Sequence, residues 1–144
     1  MIYLLIKQFE GCKLDAYYCP AHIPTIGWGN TTYKDGTCVK IGDQITQAEA
    51  DDLLEWYCRE NIKLPKGEWN LKQKQALYSL IYNIGQSAFD KSKCKKAIEN
   101  EDWAEAHKQW DWTKANGKEL KGLVRRRNAE KKLFFDKITL DIPF

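Results

Sequence analysis

The chain has 144 residues, of which 43% are hydrophobic and 12% aromatic, so it can bury one ordinary core and is not a disordered tail. Its net charge of +3 is too small to indicate nucleic-acid binding by itself. No apolar stretch approaches the length of a membrane span, and the apolar opening is too short for a signal peptide. We therefore expect a soluble protein without an export signal of its own and without stable membrane insertion.

The basic residues are concentrated towards the C-terminal end. Residues 117–137 carry eight basic and three acidic side chains, a net charge of +5, which leaves −2 for the remainder. This basic segment could face an anionic polymer, or it could be a solvated helix face. The run Arg125-Arg126-Arg127 is typical of a solvated face. No recognised nucleic-acid-binding motif accompanies the segment, so we expect no nucleic-acid partner.

The cysteines form an odd set without a Cys-x-x-Cys pair: Cys12, Cys19, Cys38, Cys58 and Cys94. Metal-ligand spacing is absent and only two histidines could help, so we predict no metal site. An odd count without a signal peptide favours mostly free thiols in a reducing compartment. At least one cysteine is unpaired within the chain.

The first elements are predicted to be a short helix followed by a small sheet. Apolar residues at helical spacing predict a helix over residues 2–10, which Gly11 ends. Glu10 then lies in the last turn, where the helix dipole is negative. Residues 13–45 are rich in glycine and β-prone residues, with a turn signal at 34–37 between segments 32–33 and 38–41. We predict an antiparallel sheet of two or three strands.

From Thr46 onwards the pattern is helical. Thr46 and Glu49 form a capping box, Asn70 can cap a helix that Gly85 ends, and further helices are predicted at 90–99, 103–110 and from about 120 to about 136. Helices segregated from an antiparallel sheet indicate the α+β class. We expect a single domain over 1–144, with a β-rich lobe of 13–45, helical parts at 1–12 and 46–144, and a ligand cleft between the lobes.

Three polar residues near the start have a spacing that suggests a site. Cys19 follows Glu10 after eight intervening residues, and Thr25 follows after five more. A helix end that faces a hairpin can bring such groups to opposite walls of one cleft.

Several segments resemble the phage-type lysozymes, glycoside hydrolase family 24. Residues 9–11, 14–17 and 25–31 (Phe-Glu-Gly, Leu-Asp-Ala-Tyr and Thr-Ile-Gly-Trp-Gly-Asn-Thr) look like the start of that family. Residues 42–50 are similar to its entry into a long helix, and 82–85 to its Asn-hydrophobic-Gly helix end. Residues 122–130 resemble its C-terminal Gly-Leu-x-x-Arg-Arg-x-x-Glu. The matches occur in the expected order and cover nearly the whole chain.

The resemblance implies a lysozyme-like fold and an endolysin that hydrolyses the β-1,4 bond between N-acetylmuramic acid and N-acetylglucosamine in bacterial peptidoglycan, causing host cell lysis. It implies no cofactor, accumulation in the host cytoplasm, and access to the wall through a separate membrane-permeabilising protein. A monomer is the default expectation. The family's catalytic set maps onto Glu10, Cys19 and Thr25, and most members carry Asp where this chain has Cys19.

Hydrolysis of a glycosidic bond requires a proton donor for the leaving oxygen, and Glu10 is the candidate. The helix end and partial burial would raise its pKa, whereas an ion pair would lower it. As a thiolate, Cys19 could activate water or stabilise charge in an inverting enzyme, with Thr25 positioning the water. It could instead attack the sugar, which would give retention.

Four further residues are predicted to support the site. Arg127 aligns with a family arginine that reaches the acid and would orient Glu10. Gly29 would serve backbone conformation near the cleft, and Asn83 would help to build the helix end beneath it. Trp28 could stack on a sugar or pack in the core. The alternative function is a catalytically inactive peptidoglycan-binding module of the same fold, which the departure at Cys19 makes worth considering.

Overall fold

The computed structural model describes residues 2–138 and confirms the α+β class. The helices are α1 (Leu4–Glu10), α2 (Gln47–Asn61), α3 (Leu71–Ile84), α4 (Gln86–Asp90), α5 (Lys93–Glu99), α6 (Trp103–Gln109) and α7 (Lys121–Phe134). The strands are β1 (Lys13–Tyr18), β2 (Pro24–Gly27), β3 (Lys114–Ala115) and β4 (Lys118–Glu119). Contacts divide the chain into two compact units, Ile6–Ile62 and the part from Lys63 onward together with the residues up to Leu5. We call them the first and the second unit.

The first unit contains the β1–β2 hairpin and the long helix α2. Tyr17 pairs with Thr25 and Lys13 with Gly27 in an antiparallel register that shifts between Lys13 and Tyr17. The predicted capping box is present, since the Thr46 hydroxyl accepts from the Glu49 amide and the Glu49 carboxylate accepts from the Thr46 amide, both at 3.1 Å. The hairpin packs on α2 around a core of Ile26, Val39 and Leu53.

A second hairpin over residues 32–41 forms less regular structure than the sequence predicts. The turn at 34–37 is present, and the Asp35 carboxylate accepts hydrogen bonds from the amide and hydroxyl of Thr37. Only an isolated bridge joins Thr32 to Cys38, so the predicted strands at 32–33 and 38–41 are absent from the described structure. The Asp43 carboxylate accepts from the Lys40 amide at 2.9 Å, and this side-chain bond satisfies a donor that a strand ladder would otherwise use.

The second unit is built mainly on α3 packed against α7. The predicted cap is confirmed, because Asn70 and Gln73 form a capping box and Gly85 ends α3 with a φ of 92°. Helix α4 and the β3–β4 hairpin are not among the predicted elements. The hairpin turns at Asn116 and Gly117, both of which have positive φ, as the Asn-Gly turn signal requires.

The arginine run of α7 is mostly buried, so its interpretation as a solvated face is wrong for two of its three residues. Arg125 is exposed, whereas Arg126 and Arg127 are 3% and 1% exposed. Both guanidinium groups lie against the fully buried carboxylate of Glu130, with N···O distances of 3.4 and 2.6 Å. Helical spacing places these charges on one inward face, because positions three and four residues apart lie on one side of a helix.

Candidate active site

Glu10 is the last residue of α1, and its side chain is half-buried. Gly11 follows with a φ of 70°, the left-handed conformation with which glycine commonly ends a helix. The chain then enters β1 at Lys13. The carboxyl group therefore lies where α1 stops and the hairpin begins, as the sequence predicts.

Cys19 begins the loop that joins β1 to β2. The loop is closed by its amide, which donates to the Ile23 carbonyl at 3.0 Å, and by the His22 amide, which donates to the Cys19 carbonyl at 2.7 Å. His22 has a φ of 62°, and its ring stacks on Tyr18 with 4.3 Å between ring centroids. This tight turn directs backbone amides towards the sulfur.

The loop stabilises the ionised form of Cys19. A hydrogen bond from the Ile23 backbone amide is the main cause of a lowered pKa of this thiol. Burial acts in the opposite direction and would raise the pKa. The Ala21 amide and the Thr25 side chain add smaller lowering contributions, and the sum of all of them leaves the pKa lowered. The buried thiols of Cys58 and Cys94 behave in the opposite way, because burial raises their pKa to about 12. The loop geometry therefore favours a thiolate at Cys19.

Thr25 lies on β2 and is almost fully buried. Its hydroxyl donates to the Ile23 carbonyl at 2.8 Å, and its side chain also hydrogen-bonds with Cys19. The structure thus brings Thr25 and Cys19 into contact through the same loop. Their separation of six positions is what the closed hairpin requires.

Tyr17 is the site residue that the sequence argument does not single out. Burial raises the pKa of its phenol, and so do the negative charges of Cys19 and Glu10, in that order. The same phenol therefore lies within electrostatic range of both Cys19 and Glu10. The signal that could have found it is strand periodicity, since Tyr17 precedes Cys19 by two positions and shares a face with it.

Trp28 and Gly29 lie in a tight turn that follows β2. Ile26 and Asn30 exchange two backbone hydrogen bonds of 2.9 Å across this turn, and Gly29 has a φ of 108°. The Trp28 indole donates to Asp51 on α2 at 2.9 Å. This bond fixes the ring within the first unit, which favours the packing role over sugar stacking.

Lys7 completes this connection between α1 and α2. Its ammonium group lies 3.3 Å from the Asp51 carboxylate and 5.6 Å from the centroid of the Trp28 ring. Burial acts to raise the pKa of Asp51, but hydrogen bonds from Trp28, Gln47 and Lys7 outweigh it and leave the pKa lowered. Trp28 thus contributes to an ionic contact that links the helix of Glu10 to α2.

Asn83 and Arg127 belong to the second unit and contact each other. Arg127 Nη1 donates to Asn83 Oδ1 at 2.9 Å and to the Trp112 carbonyl at 3.2 Å, while Nη2 donates to Glu130 at 2.9 Å. Asn83 lies in the last turn of α3, as predicted. The orientation of Glu10 by Arg127 stays a prediction.

Two findings concern ligands and membranes. Within residues 2–138, no three side chains of His, Cys, Asp or Glu are grouped in a way that could hold a metal ion. None of the helices described here is long and apolar enough to cross a membrane.

The fold and the comparisons with known proteins define a hydrolase of the lysozyme, or muramidase, class. A family model described as phage lysozyme matches residues 7–130, and the chain belongs to this family. It is 37% identical to an endolysin of Acyrthosiphon pisum secondary endosymbiont phage 1, covering 91% of this chain and 92% of the relative. It is 35% identical to an endolysin of Salmonella phage P22, covering 90% and 91%.

Comparison with a solved structure also shows the lysozyme-like fold. The endolysin from Escherichia coli O157:H7 phage FAHEc1 superimposes with a TM-score of 0.82 at 31% identity, covering 95% of this chain and 92% of that one. The predicted resemblance to phage-type lysozymes is thereby confirmed.

Proposed function

We propose that the protein is an endolysin that hydrolyses the β-1,4 bond between N-acetylmuramic acid and N-acetylglucosamine with inversion, Glu10 being the general acid and Cys19 the base. The observation that carries the proposal is the Cys19 loop, whose amides and Thr25 lower the pKa of the thiol. A water-activating group must be able to accept a proton, and a thiol can do so only after it has ionised. Membership of the phage lysozyme family supports the substrate class.

In the proposed reaction, the Cys19 thiolate removes a proton from a water molecule that Thr25 helps to position. The water oxygen attacks the anomeric carbon on the face opposite the leaving group, and the glycosidic C–O bond breaks. Glu10 gives its proton to the leaving oxygen. The product has the α configuration, and exchange with solvent returns the Cys19 proton to the medium and a proton to Glu10.

Four further residues support the catalytic groups in this proposal, and the role of Arg127 is the one that the resemblance implies. Arg127 would orient Glu10, and Asn83 would hold Arg127, in line with their hydrogen bond of 2.9 Å. Gly29 would shape the turn after β2, and Trp28 would fix that turn to α2 through Asp51.

The proposal extends to the setting of the reaction. The protein would accumulate in the host cytoplasm as a monomer and reach the wall after a separate protein has permeabilised the membrane. The exposed basic side chains of segment 117–137, among them Lys118, Lys121 and Arg125, would add salt-dependent attraction to anionic envelope polymers. Fractionation of infected cells and wall binding at varied salt test these two points.

The test is release of reducing ends from purified cell walls, measured together with the loss of turbidity. We expect the wild-type protein to clear walls and release muramic acid reducing ends, and Glu10→Gln to bind walls without releasing them. A wild-type protein that binds walls and never releases reducing ends would instead be a peptidoglycan-binding module. The Glu10→Gln variant keeps the shape of the side chain, so wall binding serves as its own folding control.

A further inference from the structure

Tyr17 shares one face of the β1–β2 hairpin with Cys19 and Thr25. It pairs directly with Thr25 across the two strands, and paired residues lie on the same side of a sheet. Positions two apart along an extended chain also lie on one side, which places Tyr17 with Cys19. Thr25 in turn hydrogen-bonds with Cys19. A hydroxyl, a sulfur and a phenol therefore lie on one face of the hairpin.

The three groups differ in what they can donate and accept. The Thr25 hydroxyl has one proton, which lies between the Ile23 carbonyl, at 2.8 Å, and the Cys19 sulfur, with which the side chain also hydrogen-bonds, so its oxygen can still accept. A thiolate sulfur at Cys19 can only accept. A water molecule beside both can supply a proton to each, and it then needs a donor to hold its own oxygen. The phenol of Tyr17 is such a donor.

We propose that Tyr17 is a further catalytic residue, whose hydroxyl donates a hydrogen bond to the attacking water while Cys19 and Thr25 accept the two water protons. The inference rests on the proposed hydrolysis. One lone pair of the water accepts from Tyr17, and the other forms the bond to the anomeric carbon. One proton passes to the Cys19 sulfur, the glycosidic bond breaks, and the leaving oxygen takes the Glu10 proton.

The surroundings of Tyr17 suit this role. Burial and the negative charges of Cys19 and Glu10 raise the pKa of the phenol, so it stays protonated where the thiolate exists. The ring is half-buried, and the Lys13 ammonium lies 5.6 Å from its centroid. Partial burial and the Lys13 contact hold the ring in place, and its hydroxyl can then bind water.

The first test compares Tyr17→Phe with Tyr18→Phe. Tyr18 is the next residue, lies on the other side of the strand, is 51% exposed and stacks on His22, so it is the matched control. We expect Tyr17→Phe to lower kcat by about 10- to 100-fold with little change in KM, the loss of one hydrogen bond to a reacting group. Tyr18→Phe should leave both constants within about twofold. Equal effects of the two variants, or a raised KM at unchanged kcat, would overturn the inference.

Rescue by azide distinguishes the loss of the hydrogen bond to the attacking water from a general loss of structure. It attacks the anomeric carbon without a base and without the Tyr17 hydrogen bond, and Glu10 still protonates the leaving oxygen. We expect azide to restore turnover of Tyr17→Phe and to yield the inverted glycosyl azide. Absence of rescue would count against the inference. Failure of the hydrolysis itself is recognised separately, because the wild-type protein would then release no reducing ends.

A second variant covers the case in which Tyr17→Phe does not fold. Fluorotyrosine placed at position 17 keeps the ring and lowers the pKa of the phenol. We expect the alkaline limb of the kcat profile to move to lower pH, because the donor is lost when the phenol ionises. A limb that does not move would contradict the role of the hydroxyl.

Discussion

Glu10 and Glu130 are two carboxylates in contrasting settings. Glu130 is fully buried on α7 and accepts hydrogen bonds from Ser79 at 2.6 Å, Trp110 at 3.1 Å and Arg127 at 2.9 Å. Glu10 is half-buried at the end of α1, and its negative charge, like that of Cys19, raises the pKa of the Tyr17 phenol. The segments around both residues resemble the same family, yet one carboxylate is fully buried in a hydrogen-bond network and the other is partly exposed.

The contrast between the two glutamates indicates which charged residues can take part in a reaction. A buried carboxylate between two guanidinium groups contributes to the packing of α7 on α3, and removing either partner leaves an uncompensated charge. A half-buried carboxylate at a helix end can gain and lose a proton during turnover. The two glutamates have the same side chain, and they differ in role because they differ in burial and in partners.

The largest expected effect is on catalysis. Glu10→Gln should lower kcat by about 1,000-fold, because an amide cannot protonate the leaving oxygen. Its free energy of unfolding should change far less than that of a variant at a fully buried carboxylate, because Glu10 is half-buried and Gln keeps the shape of the side chain. Reducing-end assays and urea unfolding of the same preparation measure both quantities. Retention of a tenth of the activity would remove Glu10 from the mechanism.

Glu130→Gln should show the opposite pattern. We expect it to destabilise the fold by about 3–5 kcal/mol, because Arg126 and Arg127 would keep their charges without a carboxylate. Urea unfolding gives the free energy, and exposed Glu119→Gln is the matched control. A loss below about 1 kcal/mol would show that the buried network is not a major source of stability.

Cys19 should give the activity its pH dependence. Because the Ile23 amide and its neighbours lower the pKa of the thiol, kcat/KM should rise as the pH increases through a value below the ordinary thiol range. Cys19→Asp should move this rise to the more acidic range of a carboxylate, and Cys19→Ser should lower kcat by about 100-fold. Lowering the folded pKa also means that the stability this thiolate contributes is lost as the pH falls through that pKa.

The pKa itself is measured by the rate of alkylation of Cys19 with iodoacetamide as a function of pH. Free cysteine alkylated under the same conditions is the reference. A midpoint for Cys19 at or above that of free cysteine would contradict the stabilising role of the loop.

A smaller effect is expected at Trp28. Replacement by Phe removes the hydrogen bond to Asp51 and should cost about 1–2 kcal/mol in the free energy of unfolding, because a charged acceptor loses one donor. Lys7 and Gln47 still serve that acceptor. Titration should show a raised pKa of Asp51. A large rise in KM with unchanged stability would instead support sugar stacking.

The smallest expected effect is at the exposed member of the arginine run, and its buried neighbour provides the contrast. Arg125→Ala should change stability by less than about 0.5 kcal/mol, since the side chain is exposed. Arg126→Ala should be far more destabilising, because Arg126 donates to both the hydroxyl and the carbonyl of Ser79 at 3.1 Å. Urea unfolding of the pair measures the difference. Equal values would mean that burial does not distinguish the two arginines.

The sequence predicts best where local chemistry decides the structure. Thr46 and Asn70 begin helices through side-chain hydrogen bonds to residues three positions away, and both caps are confirmed. Gly11 likewise ends α1 through its own backbone conformation. The resemblance to phage lysozymes also leads to Glu10, Cys19 and Thr25, and the structure brings the last two into contact.

The rest depends on contacts between distant residues. The strands predicted at 32–33 and 38–41 are replaced by side-chain bonds of Asp35 and Asp43, which local β propensity does not reveal. The sequence alone predicts that Arg126 and Arg127 are surface charges. Their partners lie on another helix or one helical turn away, so the local sequence does not reveal them. Strand periodicity relates Tyr17 to Cys19, but its position opposite Thr25 is known only from the strand register.

The most direct test of the account is the anomeric configuration of the reducing end that the wild-type protein first releases, followed by proton NMR before mutarotation. Inversion with Cys19 as the base predicts the α-anomer from the β-linked wall. Initial release of the β-anomer would contradict it, because retention excludes direct attack of a Cys19-activated water on the anomeric carbon.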